Sequence, residues 1–154
     1  MTVAGIARGH RGCKPLSRGT EMQPISDLSA LLRHMRPELN PGRYVFVALP
    51  PATALDTALV VASIREPEGL SVILEEKNAA ALGLPAVFAA AWITLTVHSD
   101  LAAVGLTAAV SQALGQAGIS CNVVAGVHHD HLFVPVEQAQ RAMDALHALQ
   151  RSGC

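Results

Sequence analysis

The chain has 154 residues, of which 51% are hydrophobic and only 3% aromatic, and its formal net charge at pH 7 is −1. This length suits one compact domain or two small modules, with a core built from Ala, Val, Leu and Ile. A nearly neutral chain is a poor match for nucleic acid or an anionic membrane surface, and no apolar run is long enough to span a membrane.

Residues 1–21 are a basic segment without hydrophobic periodicity. Residues 1–20 carry four positive charges and no acidic residue, which leaves seven basic and twelve acidic side chains in residues 21–154. We expect 1–21 to be a disordered extension, with Met22 as an alternative start. A nucleic-acid-binding arm is the alternative, although the acidic remainder would repel phosphates.

Three cysteines, Cys13, Cys121 and Cys154, are far apart in the sequence and form no CxxC pair. This usage favours a reducing compartment over a disulfide scaffold. The basic start also lacks the apolar segment of a secretory signal. We therefore expect a cytoplasmic protein.

The first half begins with a short helix that Ser26 or Asp27 can cap, whose apolar face comprises Leu28, Leu31, Leu32 and Met35. Residues 44–49 alternate as a strand. Residues 58–64 and 70–74 predict a β-hairpin around a turn at 66–69. Residues 75–82 predict a short helix that Gly83 closes. Only one helical turn fits in residues 52–57, so the crossover between the first two strands is truncated.

The second half begins with a clear strand, because residues 92–99 alternate strictly between the apolar set Ile93, Leu95 and Val97 and the set Trp92, Thr94, Thr96 and His98. Residues 106–117 have helical spacing that Gly118 ends. Residues 119–127 predict a second strand. A third follows a turn at 128–130, with Leu132, Val134 and Val136 on one face, and helical residues resume at Glu137. This order is most of a ferredoxin-like unit.

The run HSDLAAVGLTAAVSQALGQAGISCNVVAGVHHDHLFVPVEQA resembles the C-terminal module of a small family of tandem ACT-domain proteins, long classed as a domain of unknown function. RYVFVALP and REPEGLSVILEE resemble its N-terminal module. The resemblance implies an α+β fold of two tandem ferredoxin-like (βαββαβ) modules with antiparallel sheets, at residues 22–86 and 87–150, the first degenerate. It also implies a role in sensing small molecules, typically amino acids, and no known reaction.

The first candidate site is the loop from Ser99 to Gly105 and the helix start after it. Helix N-termini offer N–H groups and a positive dipole end to a carboxylate, and Gly105 removes a side chain there. The resemblance implies an effector beside the same loop. The alternative is that Gly105 only permits a tight turn and close packing. The candidate ligand contacts here are His98, Ser99, Asp100, Val104, Gly105 and Leu106.

The second candidate is Asn122, which shares a strand face with Ser120, Val124 and Gly126. Its amide can donate to a carboxylate and accept from an ammonium group. In a βαβ crossover, Asn122 and Gly105 can face a common cleft. The alternative is an Asn that binds the backbone of a neighbouring loop.

The third candidate is the run from His128 to His131. His129, Asp130 and His131 are residue types that bind zinc, but no second cluster accompanies them. We expect a polar gate over the ligand or an interface contact, and neither a metal nor a cofactor.

No nucleophile elbow, P-loop or GxGxxG motif occurs. We therefore expect a regulatory protein without catalysis that binds a small effector, with an amino acid as the best candidate. Since no catalytic or DNA-binding domain accompanies the modules, it would act through a protein partner or by forming a homo-oligomer. The alternatives are a small metal-dependent enzyme using His129, Asp130 and His131, and a purely structural interaction module.

Overall fold

The computed structural model describes residues 27–50, 53–97 and 101–153. The extension predicted for residues 1–21, and the candidate residues His98, Ser99 and Asp100, lie outside the described residues. The described chain is a mixed α+β structure with antiparallel strands, as predicted.

The elements in chain order are α1 (Leu28–His34), β1 (Pro37–Leu39), β2 (Tyr44–Leu49), β3 (Val60–Glu66), β4 (Gly69–Glu75), α2 (Glu76–Ala81), β5 (Phe88–Leu95), α3 (Leu106–Gln116), β6 (Asn122–Ala125), β7 (Asp130–Pro135) and α4 (Ala139–Ser152). Short 3-10 turns at Thr57–Leu59 and Val136–Gln138 precede β3 and α4.

Most predicted elements are present, with differences at their ends. Asp27 caps α1, because its Oδ1 accepts a hydrogen bond from the N–H of Ala30 at 2.8 Å. The strand predicted to begin at Trp92 begins four residues earlier, at Phe88. The strand predicted for residues 119–127 shortens to β6, and Val136 belongs to a 3-10 turn rather than to β7. The crossover before β3 holds a 3-10 turn instead of a full helix, which agrees with its predicted truncation.

The seven strands that the structure describes belong to one sheet, in the order β3-β4-β2-β5-β7-β6, with β1 also paired to β5. Strand β5 is shared. The start of β5 pairs with β2, where Ala90 lies opposite Tyr44, and its end pairs with β1, where Ile93 lies opposite Leu39. The order β5-β2-β4-β3 and the order β1-β5-β7-β6 are each a ferredoxin-like arrangement. The two modules therefore interlock through one strand.

The four helices of the described ranges cover one face of this sheet in two aliphatic clusters. The larger cluster joins α1, α3 and α4 to β5 and β7, and the smaller joins α2 to β2 and β4. Leu31 and Met35 of α1 are fully buried in the larger cluster, so this helix packs in the second module although it precedes the strands of the first in sequence. No aromatic side chain is in either cluster, as the composition predicts.

The opposite face of the sheet is concave and aromatic. All five aromatic residues of the chain contribute to one cluster there: Tyr44, Phe46, Phe88, Trp92 and Phe133. Phe133 is 0% exposed, although the described helices all pack on the other face. Val61 and Val124, from the outermost strands β3 and β6, contact the same cluster. The sheet thus curls until its two edges approach one another.

Candidate functional site

One end of the second module holds both the loop and the histidine segment that the sequence singles out. Strand β5 ends at Leu95, which pairs with Asp130 at the start of β7, and Asp130 pairs in turn with Ala125 at the end of β6. The loop after β5 leaves from this end, and α3 starts there before running back along the sheet. The start of α3 and the β6–β7 hairpin therefore lie at the same end.

Helix α3 begins at a glycine without a side-chain cap. Gly105 is the N-cap residue, with a left-handed φ of 111°, and among the residues that the structure describes no side chain accepts a hydrogen bond from the first turn of the helix. A Cβ at this position would lie 3.0 Å from Cδ2 of Leu28. Gly105 is thus needed both for the turn and for close packing against α1. Val104, beside it, is 85% exposed, whereas Leu106 is buried.

Asp130 is a half-buried carboxylate at this same end. It pairs with Leu95, whose side chain is in the helix-side core, so Asp130 faces that side of β7. Burial raises the pKa of Asp130, while nearby His131 and His129 act to lower it. Within the described residues no donor binds its carboxylate. Beside it, the buried Nδ1 atom of His129 has no hydrogen-bond partner there either.

Asn122 lies away from this end, and the shared cleft predicted for Asn122 and Gly105 is not formed. Asn122 starts β6, opposite Phe133 and at the level of Trp92, because α3 carries the chain back to the far end of the sheet. Its pairing with Phe133 also places its side chain on the concave face. Asn122 is exposed there, on the side of the sheet opposite α3.

His131 belongs to a hydrogen-bonded group on the concave face. Its Nδ1 accepts a hydrogen bond from the indole Nε1 of Trp92 at 3.1 Å and lies 3.3 Å from Thr94 Oγ1. Asn40 donates to Thr94 Oγ1 at 2.9 Å and to the Trp92 carbonyl at 3.2 Å. Burial lowers the pKa of His131 and so does His129, while Asp130 opposes them. This ring is therefore neutral at pH 7.

The three residues of the proposed metal cluster do not converge. Asp130 and His131 are adjacent in β7, so their side chains point to opposite faces of the sheet. In the part of the chain that the structure describes, no group of three or more His, Cys, Asp or Glu side chains is arranged to hold a metal ion.

The partners of His131 are absent from the sequence-based candidates. Trp92 and Thr94 reach it only through the pairing of β5 with β7, and Asn40 reaches Thr94 only through the pairing of β1 with β5. No local pattern specifies either pairing. Next to His131 lies a cavity of about 200 Å³ lined by Val61, Ala62, Trp92, Val124, Ala125, Gly126, His131 and Phe133. Within the described ranges, no helix is both long and apolar enough to cross a membrane.

Solved structures of similar proteins share this fold. A Vibrio cholerae protein of unknown function, described as a possible transport protein, is 47% identical, with a TM-score of 0.72 over 80% of this chain and 95% of that one. An Agrobacterium tumefaciens protein is 18% identical, with a TM-score of 0.60 over 76% and 90% of the two chains. Aspartokinase III from E. coli, solved with aspartate and ADP, is 12% identical, with a TM-score of 0.54 over 73% of this chain and 32% of that one.

Comparison with curated proteins finds no match. Two sequence models of the ACT domain match the chain in succession, the first at residues 23–91 and the second at residues 87–148. Their overlap falls at the start of β5, the strand that the two modules share. With the strong similarity to the V. cholerae protein over nearly its whole length, these matches show that the chain belongs to the family of tandem ACT-domain proteins.

Proposed function

We propose that this ACT-domain protein is a regulatory sensor that binds a free amino acid at the end of the sheet where α3 and β7 begin. The observation that carries the proposal is Asp130, a half-buried carboxylate without a described donor, at the same end as an uncapped helix N-terminus. A buried carboxylate without a partner is unfavourable, and such groups are concentrated at functional sites.

The two groups complement the two charges of an amino acid. The N–H groups of the first turn of α3, with the positive end of the helix dipole, suit the ligand carboxylate. Asp130 suits its ammonium group, because a positive charge beside the carboxylate would compensate for the hydration that burial removes. In this proposal the remaining contacts come from the loop residues His98, Ser99, Asp100 and Val104 and from Leu106 at the start of α3, and His129 gates the site. Asn122 and His131 are left out, because both lie on the other face of the sheet.

We further propose that the protein is not an enzyme and that it signals by contact. Three exposed apolar side chains, Leu101, Val104 and Val127, lie on the loop and the hairpin at the ligand end. They suit a second copy of the chain or a protein partner that responds to the bound effector.

We place the protein in the cytoplasm. Burial raises the pKa of Cys121 to about 11, so this cysteine remains an unreactive thiol.

A thermal-shift screen of the common amino acids, followed by calorimetry with the best hit, tests the proposal. The decisive variant is Ala108→Asp, at an exposed position in the first turn of α3. It supplies an internal carboxylate to the helix N-terminus, which favours folding while competing with the ligand. We expect a weakened affinity with an unchanged or raised melting temperature.

Ala108→Asn is the matched control, since it has nearly the same shape without the charge, and we expect it to bind like the unchanged protein. Equal affinities in the two variants would remove α3 from the site. A screen without any hit would favour the interaction-module alternative.

A further inference from the structure

The concave face contains a second place with the features of a binding site. The cavity of about 200 Å³ beside His131 lies between β3 and β6, the two outermost strands of the sheet. It is separate from the amino-acid site, because Asp130 and α3 are on the opposite face. Among the described side chains that line the cavity, only His131 can carry a charge.

The hydrogen bonds of His131 fix which ring nitrogen carries the proton. An indole N–H can only donate, so Nδ1 must be the acceptor of the bond from Trp92. Thr94 Oγ1 already accepts from Asn40 and can therefore donate its own hydrogen to the same Nδ1. The neutral ring thus carries its proton on Nε2. This Nε2–H makes no hydrogen bond within the described residues, which leaves one donor available to a ligand.

Two backbone features shape the cavity around this donor. A β-bulge in β3 shifts the register between Val60 and Ala62, so that the successive side chains Val61 and Ala62 both line the cavity. Gly126 lines it too, and a Cβ at that position would lie 3.2 Å from Nε2 of His131. A side chain at residue 126 would therefore crowd the one polar group of the cavity.

The remaining walls exclude charged ligands. The rings of Trp92 and Phe133 are stacked with their centroids 6.2 Å apart. Val61, Ala62 and Val124 complete an apolar surface. A charged ligand would lose its hydration here without gaining an opposite charge, whereas an apolar one with a single acceptor would satisfy the Nε2–H.

We propose that this cavity is a second ligand site, which takes a small uncharged apolar molecule with one hydrogen-bond acceptor, such as a carbonyl oxygen, held by Nε2–H of His131. Because the cavity joins β3 of one module to β5, β6 and β7 of the other, the bound molecule would link the two outer edges of the sheet. Binding to the folded state alone would also stabilise it by mass action.

Cyclohexanone and methylenecyclohexane are suitable probes, since they match in shape and only the first has an acceptor. Trp92 is the only tryptophan of the chain, so its indole N–H resonance reports on the cavity directly. With the full chain, we expect cyclohexanone to give a saturable shift of this resonance. Methylenecyclohexane should bind about fivefold more weakly, the equivalent of one neutral hydrogen bond.

Three variants complete the test. His131→Asn keeps an acceptor near the Nδ1 position but lacks the Nε2–H, so the preference for cyclohexanone should vanish. Ala62→Leu and Val124→Leu fill the cavity from opposite edges, and either one that keeps the native amide spectrum should lose both probes. A linear, non-saturating shift, equal affinities for the two probes in the unchanged protein, or binding that persists in a folded cavity-filling variant would overturn the proposal.

Discussion

The indole N–H of Trp92 donates a hydrogen bond to Nδ1 of His131 over 3.1 Å, across the paired strands β5 and β7. Protonation of the ring would put a second hydrogen between these two nitrogens and replace attraction with repulsion. The bond therefore ties the neutral state of His131 to the native packing of the concave face.

This tie predicts that acid destabilises the protein through His131. Its pKa is lowered in the folded state, so the unfolded chain binds the proton more tightly and stability falls as pH drops below about 6.5, the ordinary value for histidine. His131→Asn keeps an acceptor for Trp92 and should flatten this slope in denaturant titrations. His34→Asn, at an exposed histidine of α1, should leave the slope as it is. Equal slopes in the unchanged protein and in His131→Asn would contradict the prediction.

Asp130 should show the opposite dependence. Its pKa is raised by burial, so the folded state binds the proton more tightly and stability falls as pH rises through that pKa. Asp130→Asn should therefore raise the melting temperature at pH 7, and this gain should shrink as the pH falls through the raised pKa and be gone below the ordinary carboxyl value of about 3.9.

The same Asp130→Asn variant should lose affinity for the proposed amino-acid ligand, since it removes the group that we propose to bind its ammonium. Such an exchange of stability for binding is typical of functional residues. Asp144→Asn, at an exposed carboxylate of α4, is the control and should change neither property. A neutral-pH loss of stability in Asp130→Asn would show that the carboxylate has a structural partner.

Residues 1–21 should be dispensable for stability, whereas helix α1 should be essential for it. A chain beginning at Met22 should melt within about a degree or two of the full chain, as surface changes usually do. Leu31→Ala should cost about 2–5 kcal/mol of unfolding free energy, because Leu31 is fully buried among α3, α4 and β5. Leu39→Ala, at a 44% exposed leucine of β1, is the matched control and should cost much less. Chemical denaturation measures all three, and similar losses for Leu31→Ala and Leu39→Ala would refute the role given to α1.

Self-association should depend on the end of the molecule where α3 and β7 begin. Light scattering at micromolar concentration should show a dimer or larger species, and the double variant Val104→Ser with Val127→Ser should shift it toward the monomer, since both valines are exposed there. Val87→Ser removes a 76% exposed valine before β5 and should leave the mass unchanged. If the unchanged protein is a monomer, these exposed valines would instead contact a different protein.

Local patterns in the sequence predict the elements well and their partners poorly. The alternation of residues 44–49, the hairpin turn before Gly69 and the helical spacing up to Gly118 depend on neighbours along the chain, and each is present. The pairing of Leu39 with Ile93 and of Thr94 with His131 depends on sequence separations of tens of residues. No periodicity contains that information.

The candidate site shows the same division. The special role of Gly105 is visible from its position before a helix, and its φ of 111° shows a tight turn, which is one of the two roles that the sequence allows. Its proximity to Leu28, and the separation of Asn122 from it, follow from how α1 and α3 lie on the sheet. The group formed by Trp92, Thr94 and His131 is likewise a product of register, because Trp92 and Thr94 alone read as ordinary strand positions and no local pattern pairs them with His131.

Strand β5 is at once the last strand of one ferredoxin-like unit and the first strand of the next. A boundary drawn anywhere near it leaves one unit with a missing strand, so neither half can be excised, exchanged with a relative or inserted elsewhere as a free-standing part. The two units also cannot hinge about a linker, since a continuous hydrogen-bonded strand takes the place where a linker would be. Any signal that passes between them must travel as a change in the twist or the register of one common sheet, and gene fusions that carry these units must carry both.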